Sequence, residues 1–230
     1  MQNPKLSGSN IIDCIPQTGE CPIKCGHELN EDCFYNGGKF YRTLNEPLFP
    51  TIEESINKIV RVNSGHDSNI DRNMVISSTE KYKQKFYNTS IPNFDFPGPV
   101  VFTCNGNQLH LINPAKNIMF VRVRVSMWNL DDVDKTVDCY LIQQKIPVVL
   151  TFMRYYKEEN IQPEFKEYYV FSQHILNSYW CLTPEGQKII MLKYKGTGVR
   201  TCGTPYSSFC VDCGNCELLY YKFMKTVLND

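Results

Sequence analysis

Ile118-Met119-Phe120-Val121-Arg122-Val123-Arg124-Val125, then Asn129-Leu130-Asp131-Asp132-Val133 running on to Tyr140-Leu141, then Pro147-Val148-Val149-Leu150-Thr151-Phe152-Met153: this passage decides the fold. Its first and last parts are near-continuous apolar, β-branched runs, as expected of strands covered on both faces. Between them Val133, Val137, Tyr140 and Leu141 recur at i, i+4, i+7 and i+8, which is one face of a helix. Asn129 stands where an N-cap belongs, and Asp131, Asp132 and Asp134 sit where the helix dipole favours negative charge. Strand, helix and strand in this order predict two parallel strands joined by a right-handed crossover.

The same alternation extends outward. Ile11-Ile12-Asp13-Cys14-Ile15, Lys58-Ile59-Val60-Arg61-Val62-Asn63 and Pro99-Val100-Val101-Phe102-Thr103-Cys104 read as earlier strands, and Val199-Arg200-Thr201-Cys202 as a last one. Thr51-Ile52-Glu53-Glu54 has the form of a capping box. Thr183-Pro184-Glu185 opens a helix that Gly196 or Gly198 would end. Six strands alternating with helices predict an α/β fold, a partial (βα)6 barrel with parallel strands over residues 1–201 and a cysteine-rich, metal-binding extension over 202–230. In such folds function sits at the C-terminal ends of the strands.

Composition narrows the classes. The chain has 230 residues and balances 24 Lys plus Arg against 24 Asp plus Glu, so charge gives no strong nucleic-acid signal. No apolar run of membrane-spanning length occurs, and Met1-Gln2-Asn3-Pro4-Lys5 does not open a signal peptide, so a cytoplasmic protein without a membrane partner is expected. The 11 Cys are an odd number in a chain large enough to fold unaided, which favours metal ligation over disulfides.

The cysteines fall into two groups. Cys21, Cys25 and Cys33 follow the first strand at C-x3-C-x7-C, in a loop with Pro22, Gly26, Gly37 and Gly38. Three thiolates there suit three irons of a 4Fe–4S cluster with one iron left open, while zinc would take a fourth ligand such as His27 or Cys14. Cys210, Cys213 and Cys216 form C-x2-C-x2-C, with Cys202 as a fourth thiol. That set suits either a second 4Fe–4S cluster or zinc. Cys104, Cys139 and Cys181 are scattered as core residues are, His27 and Glu28 read as solvated loop, and Cys14 as a core residue.

A first strand followed by a three-cysteine loop, the last cysteine trailed by aromatics as in Cys33-Phe34-Tyr35, and then parallel βα units, resembles the radical S-adenosylmethionine superfamily, most closely its divergent phage-type members. The turn Asn63-Ser64-Gly65-His66-Asp67 after the second strand is similar to the Ser-Gly-acidic turn of those proteins. The likeness covers roughly residues 9–202, with seven residues between Cys25 and Cys33 where the superfamily usually has two. It implies a 4Fe–4S cluster at Cys21, Cys25 and Cys33, S-adenosyl-L-methionine chelated to the open iron, and the cofactor's amino group at Asn63, Ser64 and Gly65. It implies ribose contacts from the end of the strand 118–125, at Ser126 and Asn129. An electron donor such as flavodoxin or ferredoxin would then be a partner, and a 5′-deoxyadenosyl radical the reagent.

Read directly, Asn105 and Arg154 are polar residues behind apolar runs and would line the barrel mouth, where Arg154 suits a carboxylate or phosphate and counts among the cofactor-binding residues. Arg122 and Arg124 alternate with Val121, Val123 and Val125 and so share one face. Facing inward they need anions, either a substrate acid or a buried carboxylate such as Asp13. Two functions follow: a radical enzyme on an unidentified substrate, or a non-catalytic zinc or iron–sulfur interaction module.

Overall fold

The computed structural model describes residues 2–19, 21–23, 46–104, 115–173 and 178–228. Its centre is a curled, all-parallel sheet of seven strands: β1 (Ile11–Cys14), β2 (Ile59–Val62), β3 (Lys85–Thr89), β4 (Val100–Cys104), β5 (Ile118–Val125), β6 (Val148–Phe152) and β10 (Arg200–Cys202). Their order across the sheet is their order along the chain, which makes a half-barrel. The six strands read from sequence are all present. The seventh, β3, was not foreseen, so the half-barrel has seven strands rather than six. Three short strands, β7 (Arg154–Tyr155), β8 (Tyr169–Ser172) and β9 (Tyr179–Leu182), form a separate antiparallel sheet in the order β7-β9-β8, inserted between β6 and β10.

Side chains alternate across the sheet, except early in β5, where Met119 and Phe120 both join the inner cluster beside a register shift against β4. Outward residues such as Ile12, Cys14, Val60, Val62, Val121, Val123 and Leu150 pack in one core with Val75 of α2 (Arg72–Thr79), Val133 and Val137 of α3 (Leu130–Val137) and Ile190 of α4 (Pro184–Lys193). Helix α3 runs on as a π-helical turn at Asp138–Gln143, which buries Tyr140 as the periodicity predicts. Thr183 caps α4 by accepting from Gly186 N at 3.1 Å. The Thr51–Glu54 capping box also forms, opening the short α1 (Ile52–Ser55). Asn129 occupies the N-cap of α3 but does not cap it. Its side chain turns back instead, accepting from Ser126 N at 2.8 Å and donating to the Arg124 carbonyl at 3.0 Å, so it ties the helix start to the strand end.

The inner face is divided along the strands. Ile11, Ile59, Phe86, Val101, Phe120 and Val149 form an apolar floor against Leu219 and Tyr220 of the C-terminal helix α6 (Asn215–Val227). The boundary drawn at residue 201 therefore falls inside β10, and the chain beyond it fills the concave face of the same core. Two residues further along each strand the inward positions turn polar: Asp13, Arg61, Asn88, Thr103, Arg122 and Thr151. Asp13 is fully buried and takes Arg61 in a two-pronged pair, Nε to Oδ1 at 2.6 Å and Nη2 to Oδ2 at 3.1 Å. The partner of Asp13 is thus Arg61 on the adjacent strand, not Arg122 or Arg124, because parallel register sets Asp13 directly beside Arg61. Among the described residues no helix is long and apolar enough to cross a membrane.

Candidate functional site

Among the described residues, two neighbouring cavities adjoin the polar, C-terminal part of the inner face. The smaller, about 160 Å³, is lined by Cys21, by the turn Asn63 to Asp67, by Asn88 and Ser90 after β3, and by Arg122, Arg124 and Thr151. The larger, about 290 Å³, lies beside it, and the two share Ser64, Arg122, Thr151 and Met153.

The turn after β2 is built by a few specific bonds. Asn63 has φ of +59°, a left-handed conformation that asparagine tolerates better than most residues, and its N–H donates to the Cys14 carbonyl at 2.8 Å. Its amide nitrogen donates to Ser68 Oγ at 3.2 Å. Asp67 holds the turn to β3: its carboxylate accepts from Thr89 Oγ1 at 2.7 Å, Asn69 N at 2.9 Å, Ser90 N at 2.7 Å and Ser90 Oγ at 2.9 Å. With both oxygens engaged, Asp67 organises the turn and is not itself open to a ligand.

What these bonds leave over is informative. Asn63 Oδ1, Ser64 Oγ, Asn88 Oδ1 and Thr151 Oγ1 are buried, line the smaller cavity and have no hydrogen-bond partner. Buried polar atoms are nearly always satisfied, so these four, spread over the ends of β2, β3 and β6 around one cavity, are open to donors from a ligand or from water. Three of these atoms are oxygens of Asn63, Ser64 and Asn88, clustered where β2 and β3 end, and carbonyl and hydroxyl oxygens suit an ammonium group.

Cys21 is buried and lines this cavity, so the structure brings it together with Asn63, Ser64 and Gly65. Cys25, Cys33, Phe34, Tyr35, His27, Glu28 and Asn105 lie outside the described residues. Cys14 points to the opposite, outer face, and burial pushes its thiol up to about 12, so it is a protonated core residue. Ser126 ends β5 fully buried, bonded to the Tyr155 hydroxyl, and lines neither cavity; Asn129 is spent on the strand end, as described above. Arg154, counted from sequence among the cofactor-binding residues, lines the larger cavity and not the smaller one that holds the Asn63–Gly65 turn. Asn88 and Thr151 escaped sequence reasoning. Thr151 was legible as the inward position two residues past Val149, whereas Asn88 sits on the unforeseen strand.

The second cysteine group enters the larger cavity. Cys202 ends β10, Cys210 and Cys213 bound the single-turn helix α5 (Cys210–Cys213), and Cys216 starts α6. All four line the cavity, with Arg61 and Arg122 nearby. Gly214 at φ of +58° turns the chain between the two helices, and Asn215 anchors it by donating to the Thr201 carbonyl at 2.6 Å. Cys202 hydrogen-bonds Cys213, which lowers the Cys213 thiol's pKa and raises that of Cys202. Among the described residues no three His, Cys, Asp or Glu side chains converge as a metal site requires. The soft donor set and its shared cavity fit a thiolate-held group, while the arrangement shown is a hydrogen-bonded pair with two further thiols nearby. In the metal-free protein, brief iodoacetamide treatment at neutral pH is expected to label Cys213 first of the four, because the thiolate is the nucleophile. Mass spectrometry showing Cys202 labelled first would contradict this reading.

Compared with protein-family models, with curated proteins and with solved structures, the chain matches none.

Proposed function

We propose that the chain is an iron–sulfur radical S-adenosylmethionine enzyme, with the cofactor in the smaller cavity and the substrate in the larger. The observation that carries this reading is the group of orphaned oxygens of Asn63, Ser64, Asn88 and Thr151 beside Cys21, at the C-terminal mouth of a parallel half-barrel. When bound, a 4Fe–4S cluster at Cys21, Cys25 and Cys33 would supply reductive cleavage of S-adenosylmethionine to the 5′-deoxyadenosyl radical. The chain's own residues do the rest. Asn63 and Ser64 accept hydrogen bonds from the cofactor's ammonium, and Gly65 lets the backbone approach it. The apolar floor under α6 closes the half-barrel from below. An electron donor such as flavodoxin or ferredoxin is the required partner. Cys202, Cys210, Cys213 and Cys216 would hold a second cluster or zinc.

The competing reading, a non-catalytic zinc or iron–sulfur module, draws on the same thiols but gives the orphaned oxygens nothing to bind. Anaerobic reconstitution followed by metal and sulfide analysis separates the two. The enzyme reading expects about four irons or more per chain with matching sulfide; two zincs and no sulfide would overturn it. Gly65→Val puts a branched side chain on the cavity wall. It is expected to weaken S-adenosylmethionine binding at least about tenfold, about 1.4 kcal/mol, with metal content unchanged. Calorimetric titration of the reconstituted protein checks this, and equal affinity would remove the turn from the site.

A further inference from the structure

Among the described residues, more cationic than anionic side chains line the larger cavity. Lys5, Arg61, Arg122 and Arg154 line it, against one lining carboxylate, Glu217. Arg61 is taken by Asp13, and Glu217 accepts from the Asn10 amide at 2.7 Å. Arg154 is held by uncharged groups: its Nη1 donates to the Tyr179 hydroxyl, and its guanidinium lies 4.5 Å from the centre of the Tyr179 ring. Arg122 lies 5.9 Å from the Phe120 ring centre. Among the described residues neither Arg122 nor Arg154 pairs with a carboxylate. Lys5 has its pKa lowered to about 8, first by burial and next by the charge of Arg154.

Cations crowded at a half-buried cavity repel one another and lose hydration, a combination that an anion reverses. Arg61 and Arg122 lie near Cys216, and Lys5 lies near Cys202 and Cys210. Arg154 stands apart, beside Cys181, whose thiol is raised by burial and so stays protonated. Its guanidinium, hydrogen-bonded to Tyr179 through Nη1, lines the cavity, and a planar guanidinium suits a carboxylate or phosphate.

The geometry points to an anion-binding subsite in the larger cavity, with Arg154 and Arg122 as its clamp, that receives a carboxylate or phosphate group of the substrate. Placing the substrate there rests on the functional reading above; the anion site does not. Because Arg122 and Ser64 belong to both cavities, an anion clamped at Arg122 sits at the boundary between them, and the rest of the substrate extends into a volume walled by Val149, Phe152 and Met153.

The test uses the full chain as purified and two probes, inorganic phosphate and malonate, each titrated calorimetrically against wild type, Arg154→Gln, Arg122→Gln and, as a control, Lys225→Gln on the exposed face of α6. Saturable binding of one or both probes in wild type is expected, weakened at least tenfold in Arg154→Gln and in Arg122→Gln and unchanged in Lys225→Gln. Preference for phosphate or for malonate assigns the substrate's anionic group. Circular dichroism checks that each variant is folded; where one is not, the other arginine variant decides. No saturable binding of either probe in wild type, or equal affinity in the folded arginine variants, would overturn the proposal. Binding with the expected arginine dependence in a protein that never cleaves S-adenosylmethionine would keep the anion site and overturn only the enzymatic reading.

Discussion

Asp13→Ala is expected to lower the unfolding free energy by about 3–5 kcal/mol, because it leaves a buried guanidinium without its partner. Asp13 is wholly buried and Arg61 is 8% exposed, and the two are joined by both prongs of the guanidinium. The energy at stake is mainly the desolvated charge of Arg61, not the attraction itself. A paired replacement, Asp13→Leu with Arg61→Met, is therefore expected to be far milder than either single change, since it removes both charges together. Urea denaturation of the three proteins checks this. A loss below about 1 kcal/mol in Asp13→Ala would mean that water or another carboxylate reaches Arg61. The pair also explains why β1 and β2 stay in register at the sheet edge: Gln2 completes the exposed side of β1 by accepting from Asp13 N at 2.9 Å and donating to the Asp13 carbonyl at 3.1 Å.

Cys21→Ala is expected to reduce 5′-deoxyadenosine release at least about a hundredfold, since even losing an outer-shell partner of a metal site typically costs 10–100-fold. Cys21 lines the smaller cavity beside the Asn63–Gly65 turn and lies outside both hydrophobic clusters. The thermal midpoint is accordingly expected to fall by no more than a few degrees, which distinguishes loss of the site from loss of the fold. Full cleavage activity in Cys21→Ala would remove the first cysteine group from the chemistry, whatever the fold does.

Five of the six strands were readable because each is a largely buried, mostly apolar and β-branched run, whereas β10 is three exposed or half-buried residues marked only by Val199 and Thr201. β3 was not readable, because its two faces differ. Lys85-Phe86-Tyr87-Asn88-Thr89 sends Phe86 to the apolar floor and Asn88 to the cavity wall, and Asn88 and Lys85 break the apolar run that marks a central strand. The aromatic pair followed by threonine, just after α2, was the available signal. The small antiparallel sheet is three strands of two to four residues each, and half-exposed positions such as Val170 and Phe171 blur its alternation. At the site, residues adjacent in sequence were legible as a unit: Asn63, Ser64 and Gly65 do share a cavity with Cys21. Position at a strand end does not reveal rotation, and the Ser126 hydroxyl is bonded to Tyr155 in the core. The pairing of Asp13 with Arg61 rather than Arg122 depends on register, which only strand order supplies.

The central claim is that this half-barrel cleaves S-adenosylmethionine. The direct measurement is 5′-deoxyadenosine formed by the anaerobically reconstituted chain with dithionite or reduced flavodoxin, followed by chromatography, with Cys21→Ala as the control. Product that depends on reductant and on Cys21 is expected. A protein loaded with iron and sulfide that binds S-adenosylmethionine and yet forms no 5′-deoxyadenosine under reduction would contradict it.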